Sequence, residues 1–203
     1  MTLEEFERSD FFEQRRFSHL SLNERRVVGK EFVACTFDGC AFQEAELRSC
    51  ILQSTNFANC DLSSAKLTDT RFSNVTFERS KLLAIDWTAS KVSSLGLSVN
   101  FDECTLNYSS FVGLKLKNTR LRECRAHEVD FSEADLAGAD FSGTDLAGST
   151  FNHTNLVNAQ LETAFNYTID LQTNRLKGAR FSLPEAVSLL EGAGLVIVDN
   201  LEG

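Results

Sequence analysis

Apolar side chains recur at every fifth position along most of this chain, with mostly polar residues between them. One series of large residues, chiefly Phe and Leu, runs from Phe32 to Leu97, and after a slip of one residue a second runs from Phe101 to Phe181. We call these the central residues. The residue two before each, mostly Ala, Cys, Ser or Thr, we call the small residue. A period of five matches neither an α-helix nor a β-strand.

Repeats of fixed period are typical of solenoids, in which each unit buries its apolar side only by stacking on its neighbours. If each pentad forms one flat side and one corner, four pentads close a square coil with the central and small residues inside. Six glycines stand two residues after a central residue, where a tight corner favours a positive φ: Gly39, Gly113, Gly138, Gly143, Gly148 and Gly178. The pattern therefore predicts a square solenoid.

All six cysteines belong to the small series: Cys35, Cys40, Cys50, Cys60, Cys104 and Cys124. In stacked coils Cys40 would lie beside Cys60, and Cys104 beside Cys124, at the ~4.8 Å spacing of paired strands. That distance lies within the range of a disulfide. We interpret the cysteines as packing residues with free thiols, and oxidation of either pair stays open.

Three consecutive pentads, Ala134–Gly138, Ala139–Gly143 and Thr144–Gly148, read small residue, Asp, Leu or Phe, variable residue, Gly. They resemble the pentapeptide-repeat family, and the likeness covers about residues 30–181. The resemblance implies an all-β fold, a right-handed quadrilateral β-helix. Nearly eight coils at ~4.8 Å each would make a rod of roughly 37 Å.

The N-terminal segment departs from the pattern. Its small positions include Asp10, Arg15 and Arg25, which cannot enter a dry interior unpaired. Residues 1–29 are therefore predicted to be a cap or an irregular first coil, ahead of a β-helix over residues 30–181. Two further irregularities are the slip between Leu97 and Phe101 and the polar Asn166 at a central position.

Residues 182–203 are predicted to be a short capping helix with a tail. Ser182 to Glu185 reads as a capping box, the helix would stop near Gly192, and Leu195–Val198 is a strand-like apolar run. This end carries more apolar surface than a coil end can cover, which predicts a two-fold homodimer. The expected dimerisation residues are Leu183, Val187, Leu189, Leu190, Leu195 and Ile197.

The net charge of −9 argues against direct nucleic-acid binding. Between Arg125 and Arg175 there is no Lys or Arg. We interpret six acids of this interval as a belt for a basic partner: Glu128, Asp130, Glu133, Asp135, Asp140 and Asp145. The alternative interpretation is that each Asp, standing one residue before a central residue, hydrogen-bonds the local backbone.

Catalytic, metal and cofactor sites are not expected. Of three histidines, His127 and His153 fall at outward positions on different coils, and no phosphate-binding loop or dinucleotide fingerprint occurs. No apolar run is long enough to span a membrane, and the acidic N-terminus lacks a signal-peptide core. We therefore expect a cytoplasmic protein without enzymatic activity.

The acidic rod and the segment Phe181–Ala186 resemble the gyrase-interacting members of the family, such as the Qnr, MfpA and AlbG-like proteins. This resemblance implies a DNA-mimicking homodimer that binds DNA gyrase or topoisomerase IV and modulates its inhibition or poisoning, conferring antibiotic resistance (including quinolone resistance) or immunity. Many Qnr proteins carry two long loops, for which a one-residue slip leaves no room, so the chain is more similar to MfpA and the immunity proteins. The alternative is a general protein-interaction scaffold with no topoisomerase role.

Overall fold

The computed structural model of the chain describes residues 3–198 and is a parallel β-solenoid of about nine turns. Strands on successive coils pair at an interval of twenty residues, so that Phe32 lies beside Phe12 on one side and beside Leu52 on the other. The structure confirms the predicted pentapeptide-repeat β-helix. At ~4.8 Å per coil, nine turns make a rod of roughly 43 Å.

Equivalent sides of successive coils stack into four long faces. Face 1 contains β1 (Phe11–Glu13), β4 (Glu31–Val33), β7 (Ile51–Gln53) and β9 (Arg71–Ser73). Face 2 contains β2 (Arg16–Ser18), β5 (Thr36–Asp38), β8 (Asn56–Ala58), β10 (Val75–Glu78), β11 (Val99–Asp102) and β12 (Leu121–Arg122), continued by β13 (Gln160–Leu161) and β14 (Arg180–Phe181). Face 3 is held by isolated parallel bridges, and face 4 begins with β3 (Arg26–Val28) and β6 (Glu46–Arg48). The helices are α1 (Leu3–Arg8), α2 (Val187–Gly192) and a 3-10 turn at Trp87–Ala89.

The interior of the rod is a stack of large and small side chains. The rings of Phe37, Phe57 and Phe77 lie above one another, with centroids 4.8 and 5.0 Å apart. All three are buried, and burial of each stabilises the fold by about 1.5–3 kcal/mol. The six cysteines are buried and free, and the Cys50 Sγ is 3.2 Å from the Val27 carbonyl oxygen of the preceding coil. Both residue series therefore fill the interior.

The corners lie two residues after the central residues, as predicted, but most are not glycine. Positive φ angles occur there at Gln14 (52°), Asn59 (54°) and Glu128 (53°), among 22 non-glycine residues with positive φ in the part of the chain that the structure describes. The left-handed conformation costs a side chain other than glycine roughly 1 kcal/mol. The repeated coil geometry therefore imposes the corner whichever residue stands there.

The N-terminal coil is regular, which corrects the boundary predicted at residue 30. β1, β2 and β3 pair in register with the next coil, so the solenoid begins at Phe11. Arg15 and Arg25 are exposed, and the Arg25 guanidinium pairs with the Glu7 carboxylate of α1 at 2.8 Å. α1 covers this end with Phe6, which is 1% exposed. The Lys30 ammonium ties α1 to the coil by donating to the Glu7 carbonyl oxygen at 3.4 Å and, just after the helix, to the Ser9 carbonyl oxygen at 2.6 Å.

The C-terminal end agrees with the sequence only in part. α2 ends at Gly192, as predicted, but the capping box does not form, because the Ser182 hydroxyl donates to the Glu162 carbonyl oxygen of the coil below. Leu195–Val198 forms no strand and is exposed, since no neighbouring strand pairs with it. The predicted tail also includes residues 199–203, which lie outside the described residues.

The irregular coil in mid-rod contains four additional residues instead of a one-residue slip. Val75 lies beside Val99, 24 residues later, where regular coils have an interval of twenty. A gain of four and a loss of one produce the same phase in a five-residue pattern, so the sequence did not distinguish them. At the second irregularity, Asn166 is exposed at a corner with φ 58°, while Tyr167 and Ile169 are buried in its place.

Candidate partner-binding surface

Four aspartates of the predicted belt shape the turns of one coil. Asp130, Asp135, Asp140 and Asp145 each accept a hydrogen bond from the backbone N–H two residues later, at 2.9, 3.4, 3.0 and 3.3 Å. This is the Asx turn, in which a carboxylate satisfies a backbone donor at a sharp bend. The turn-making interpretation therefore accounts for the position of every one of them.

The same four residues lie on four different faces. The bridging pattern places Asp130 on face 4, Asp135 on face 1, Asp140 on face 2 and Asp145 on face 3. Their carboxylates encircle the rod, one per side. A partner that approaches from one direction can meet only some of them.

Three of these aspartates are paired with basic side chains of the preceding coil. The Lys117 ammonium is 3.2 Å from Asp135. The other two pairs are Arg122 with Asp140 at 2.5 Å and His127 Nε2 with Asp145 Oδ2 at 2.6 Å. In each pair the basic residue stands 18 positions before the acid. None of the three basic residues stood out in the sequence, because Lys117 and Arg122 precede the interval between Arg125 and Arg175, and within it only Lys and Arg were considered, not His127.

Hydrogen bonds hold two of these carboxylates ionised, together with an ion pair in the case of Asp140. Burial acts to raise the pKa of Asp140, but hydrogen bonds from Ser142 together with the Arg122 guanidinium lower that pKa below its usual value. Burial likewise opposes ionisation of Asp145, and hydrogen bonds from His127 and Asn166 lower its pKa. Both aspartates are thus charged at neutral pH and already engaged within the rod.

The belt residues without a basic partner collect on one side. Glu128 and Glu133 are exposed at the two corners that border face 4, with φ angles of 53° and 60°, and Asp130 lies between them. Among residues 3–198 none of the three forms an ion pair. Asp86 and Asp69, which sequence reasoning did not include, are exposed on the same face and at its corner with face 1. We call these five residues the acidic side.

The predicted dimerisation residues divide into buried and exposed groups. Leu189 is 8% exposed because it packs on the last coil, and Val187 is half-buried. The other four are exposed, together with two apolar neighbours that the sequence analysis did not include: Leu183, Leu190, Leu195, Ile197, Val196 and Val198. The rod therefore ends in an apolar surface.

The described residues offer neither a metal site nor a membrane-spanning helix. Within residues 3–198 no group of three His, Cys, Asp or Glu side chains is placed to hold a metal ion. No helix in this part of the chain is long and apolar enough to cross a membrane.

Comparison with known proteins gives the family and the fold. A family model described as a pentapeptide repeat region matches residues 30–98 and 97–161. Two trypsin-treated variants of QnrB1, a plasmid-mediated fluoroquinolone resistance protein, superpose with TM-scores of 0.60 and 0.62. Their identities are 21% and 17%, over 93% of this chain and 90% and 97% of theirs.

HetL, a pentapeptide repeat protein involved in heterocyst differentiation regulation in Nostoc sp. strain PCC 7120, superposes with a TM-score of 0.54. It is 18% identical, over 85% of this chain and 86% of HetL. Comparison with curated protein sequences gives no match. The family model spans well over half of the residues and the fold agrees with it, so this chain belongs to the pentapeptide-repeat family.

Proposed function

We propose that this protein is a non-enzymatic DNA mimic that binds a type II topoisomerase (DNA gyrase or topoisomerase IV) through the acidic side and modulates its inhibition or poisoning. The observation that carries the proposal is the set of acids on face 4 and at its corners that form no ion pair with any of the described residues. Such a surface attracts basic surfaces and accelerates association with them. The likeness to QnrB1, a fluoroquinolone resistance protein, supports the choice of partner.

The proposed resemblance to the charge of DNA is limited to the acidic side. Asp86 and Asp130 are bridged through Ser110 and so stand two coils apart, about 9.6 Å at the strand spacing. Duplex DNA presents one charge per ~1.7 Å of its axis, so the acidic side carries far fewer charges over the same length. Because this binding is electrostatic, it should weaken with added salt, and because few charges carry it, reversal of two of them should have a large effect.

Dimerisation through the C-terminal end would double the length of the rod to roughly 86 Å. Leu190 and Ile197 are 41% and 44% exposed and are suited to a test. The double substitution Leu190→Lys with Ile197→Lys should convert a dimer into a monomer in sedimentation velocity. A wild-type chain that sediments as a monomer at all concentrations would exclude this part of the proposal.

The deciding experiment is DNA supercoiling by purified gyrase in the presence of the full chain, with and without a quinolone, at low and high salt. The charge reversal Glu128→Lys with Glu133→Lys should abolish any inhibition or rescue, since both are exposed corner residues of the acidic side and form no ion pair with the described residues. Asp135 and Asp140 are unsuitable for reversal because they pair with Lys117 and Arg122.

The matched control is Glu24→Lys with Glu44→Lys, which makes the same change in net charge. These residues are exposed corners with φ 57° and 56°, in the same row as Glu128 but in the first coils. The control should behave as wild type. An effect on gyrase that survives both reversals and high salt would favour the general scaffold instead. No effect of the wild-type chain would refute the topoisomerase proposal.

A further inference from the structure

The four additional residues of the irregular coil form a closed turn on face 1. The Gly96 N–H donates to the Ser93 carbonyl oxygen at 3.0 Å, and the Ser93 hydroxyl donates to the Gly96 carbonyl oxygen at 3.0 Å. The Lys115 ammonium donates to the Ser94 carbonyl oxygen at 3.3 Å. A Cβ on Gly96, which has φ 115°, would lie 2.4 Å from the Lys115 carbonyl oxygen. The turn is therefore a defined part of the fold.

Beside this turn lies a groove of about 620 Å³, within the size range of small-ligand sites. Its lining includes the apolar residues Phe72, Val92 and Leu97. Phe72 and Leu97 are buried central residues, and Val92 is half-buried. The groove thus offers an apolar surface on face 1 of the rod.

Four cationic residues line the same groove: Arg71, Lys91, Lys115 and Lys117. Among the described residues that line it, none is acidic, although the chain as a whole has a net charge of −9. Arg71 and Lys91 make no ion pair with any of residues 3–198. Lys117 pairs with Asp135 outside the groove, and its side chain remains 59% exposed. The groove is therefore a site of concentrated positive charge.

The positions of Arg71 and Lys91 bring like charges together. The Lys91 N–H donates to the Thr70 carbonyl oxygen, and the Arg71 N–H donates to the Cys50 carbonyl oxygen. Because the two bonds are equivalent links between successive coils, Arg71 and Lys91 stand on adjacent coils of face 1. Like charges directly opposite on paired strands are destabilising. An anion bound between them would remove that repulsion.

We infer that this groove binds a small organic anion that carries phosphate groups. Arg71 offers the planar fork of donors that matches phosphate oxygens, and the lysines add point charges. Asn100 and Asn118 line the groove and supply further polar groups, while the apolar lining takes the body of the ligand. A long polyanion fits poorly, because Asp69 stands at the adjoining corner and the net charge of the rod repels it.

The test is calorimetric titration of the full chain with three probes: ATP, inorganic pyrophosphate and adenosine. ATP should bind, pyrophosphate should bind more weakly, and adenosine should not bind, because affinity requires both the phosphates and the body. The substitutions Arg71→Gln with Lys91→Gln should weaken ATP binding by about tenfold or more. Lys66→Gln with Lys81→Gln, exposed residues outside the groove, should leave it unchanged.

Three outcomes would overturn the inference. The first is a dissociation constant for ATP above about 1 mM at low salt. The second is equal weakening by the groove variant and by the control variant. The third is binding of duplex DNA as tight as that of ATP, which would indicate unspecific attraction. All variants carry substitutions of exposed side chains, and an unchanged circular dichroism spectrum would verify their fold.

Discussion

The substitution Asp140→Asn tests the contribution of the buried ion pair. Asp140 is 6% exposed. Its carboxylate lies 2.5 Å from the Arg122 guanidinium and accepts hydrogen bonds from the Ser142 N–H and hydroxyl at 3.0 and 2.6 Å. An amide keeps an acceptor for Ser142 but loses the charge that faces Arg122. A charge-assisted hydrogen bond contributes about 1.5–3 kcal/mol. Because the Arg122 side chain is half exposed and water can replace its partner, we expect a loss of about 1.5–2 kcal/mol in the free energy of unfolding.

The matched control is Asp135→Asn. Asp135 occupies the same position in its pentad, but its side chain is 26% exposed and its partner Lys117 is 59% exposed. Such a pair contributes about 0–1 kcal/mol. Asparagine fits the position, since Asn155 makes the same turn one coil later. Urea unfolding followed by the fluorescence of the buried Trp87 would measure both losses. Equal losses for the two variants would refute the argument from burial.

The ion pair of Asp140 with Arg122 should make the stability of the fold depend on pH in a defined direction. The pKa of Asp140 is lowered in the folded chain, so its ionised form stabilises the fold above the unfolded value of about 3.9. That contribution disappears as the pH falls through the lower folded pKa. The difference in stability between wild type and Asp140→Asn should therefore be full at pH 6 and should vanish in acid. A difference that stays constant down to about pH 2 would contradict this.

Other parts of the rod give further predictions. Gly96→Ala should lower the free energy of unfolding by about 1–3 kcal/mol, because its Cβ would meet the Lys115 carbonyl oxygen. Gly113→Ala, with open space around it, should lower it by about 1 kcal/mol. Urea unfolding would compare the two variants, and equal losses would contradict the close approach at Gly96. Phe57→Ala should cost about 3–5 kcal/mol, since the ring stacks between two others; a loss below about 1 kcal/mol would contradict the packing. Burial raises the pKa of the Cys50 thiol, so iodoacetamide should label it only in denaturant, and rapid labelling of the native chain would contradict its burial.

The architecture could be predicted from the sequence because each five-residue unit of a solenoid by itself shows which of its residues point into the interior. A large residue every five positions, with a small one two before it, predicted the buried residues from Phe32 to Leu161, except in the irregular coil, where Val92 is half-buried and Leu95 is exposed. It failed for Asn166 and for Leu171, which is 40% exposed. There the coil deviates, and Tyr167 and Ile169 take the interior instead.

The candidate binding surfaces could be predicted much less well, because they depend on which residues of different coils become neighbours. Sequence order grouped Asp130, Asp135, Asp140 and Asp145 into one belt, but a quarter turn separates each from the next. Their basic partners stand 18 residues earlier and become visible only when the coil length is known. The groove on face 1 depends on a turn whose length the five-residue phase left ambiguous.

The non-glycine corners described above have a consequence for how this surface can change. A corner residue bears the strain of a left-handed backbone, yet its side chain points away from the interior. Glycine would relieve that strain, but it loses more conformational freedom on folding, and the two effects nearly cancel at about 1 kcal/mol each. Selection on stability is therefore weak at the corners. The rows of corner residues, which include Glu128 and Glu133, are where one member of this family can acquire a new charge pattern without disturbing its core.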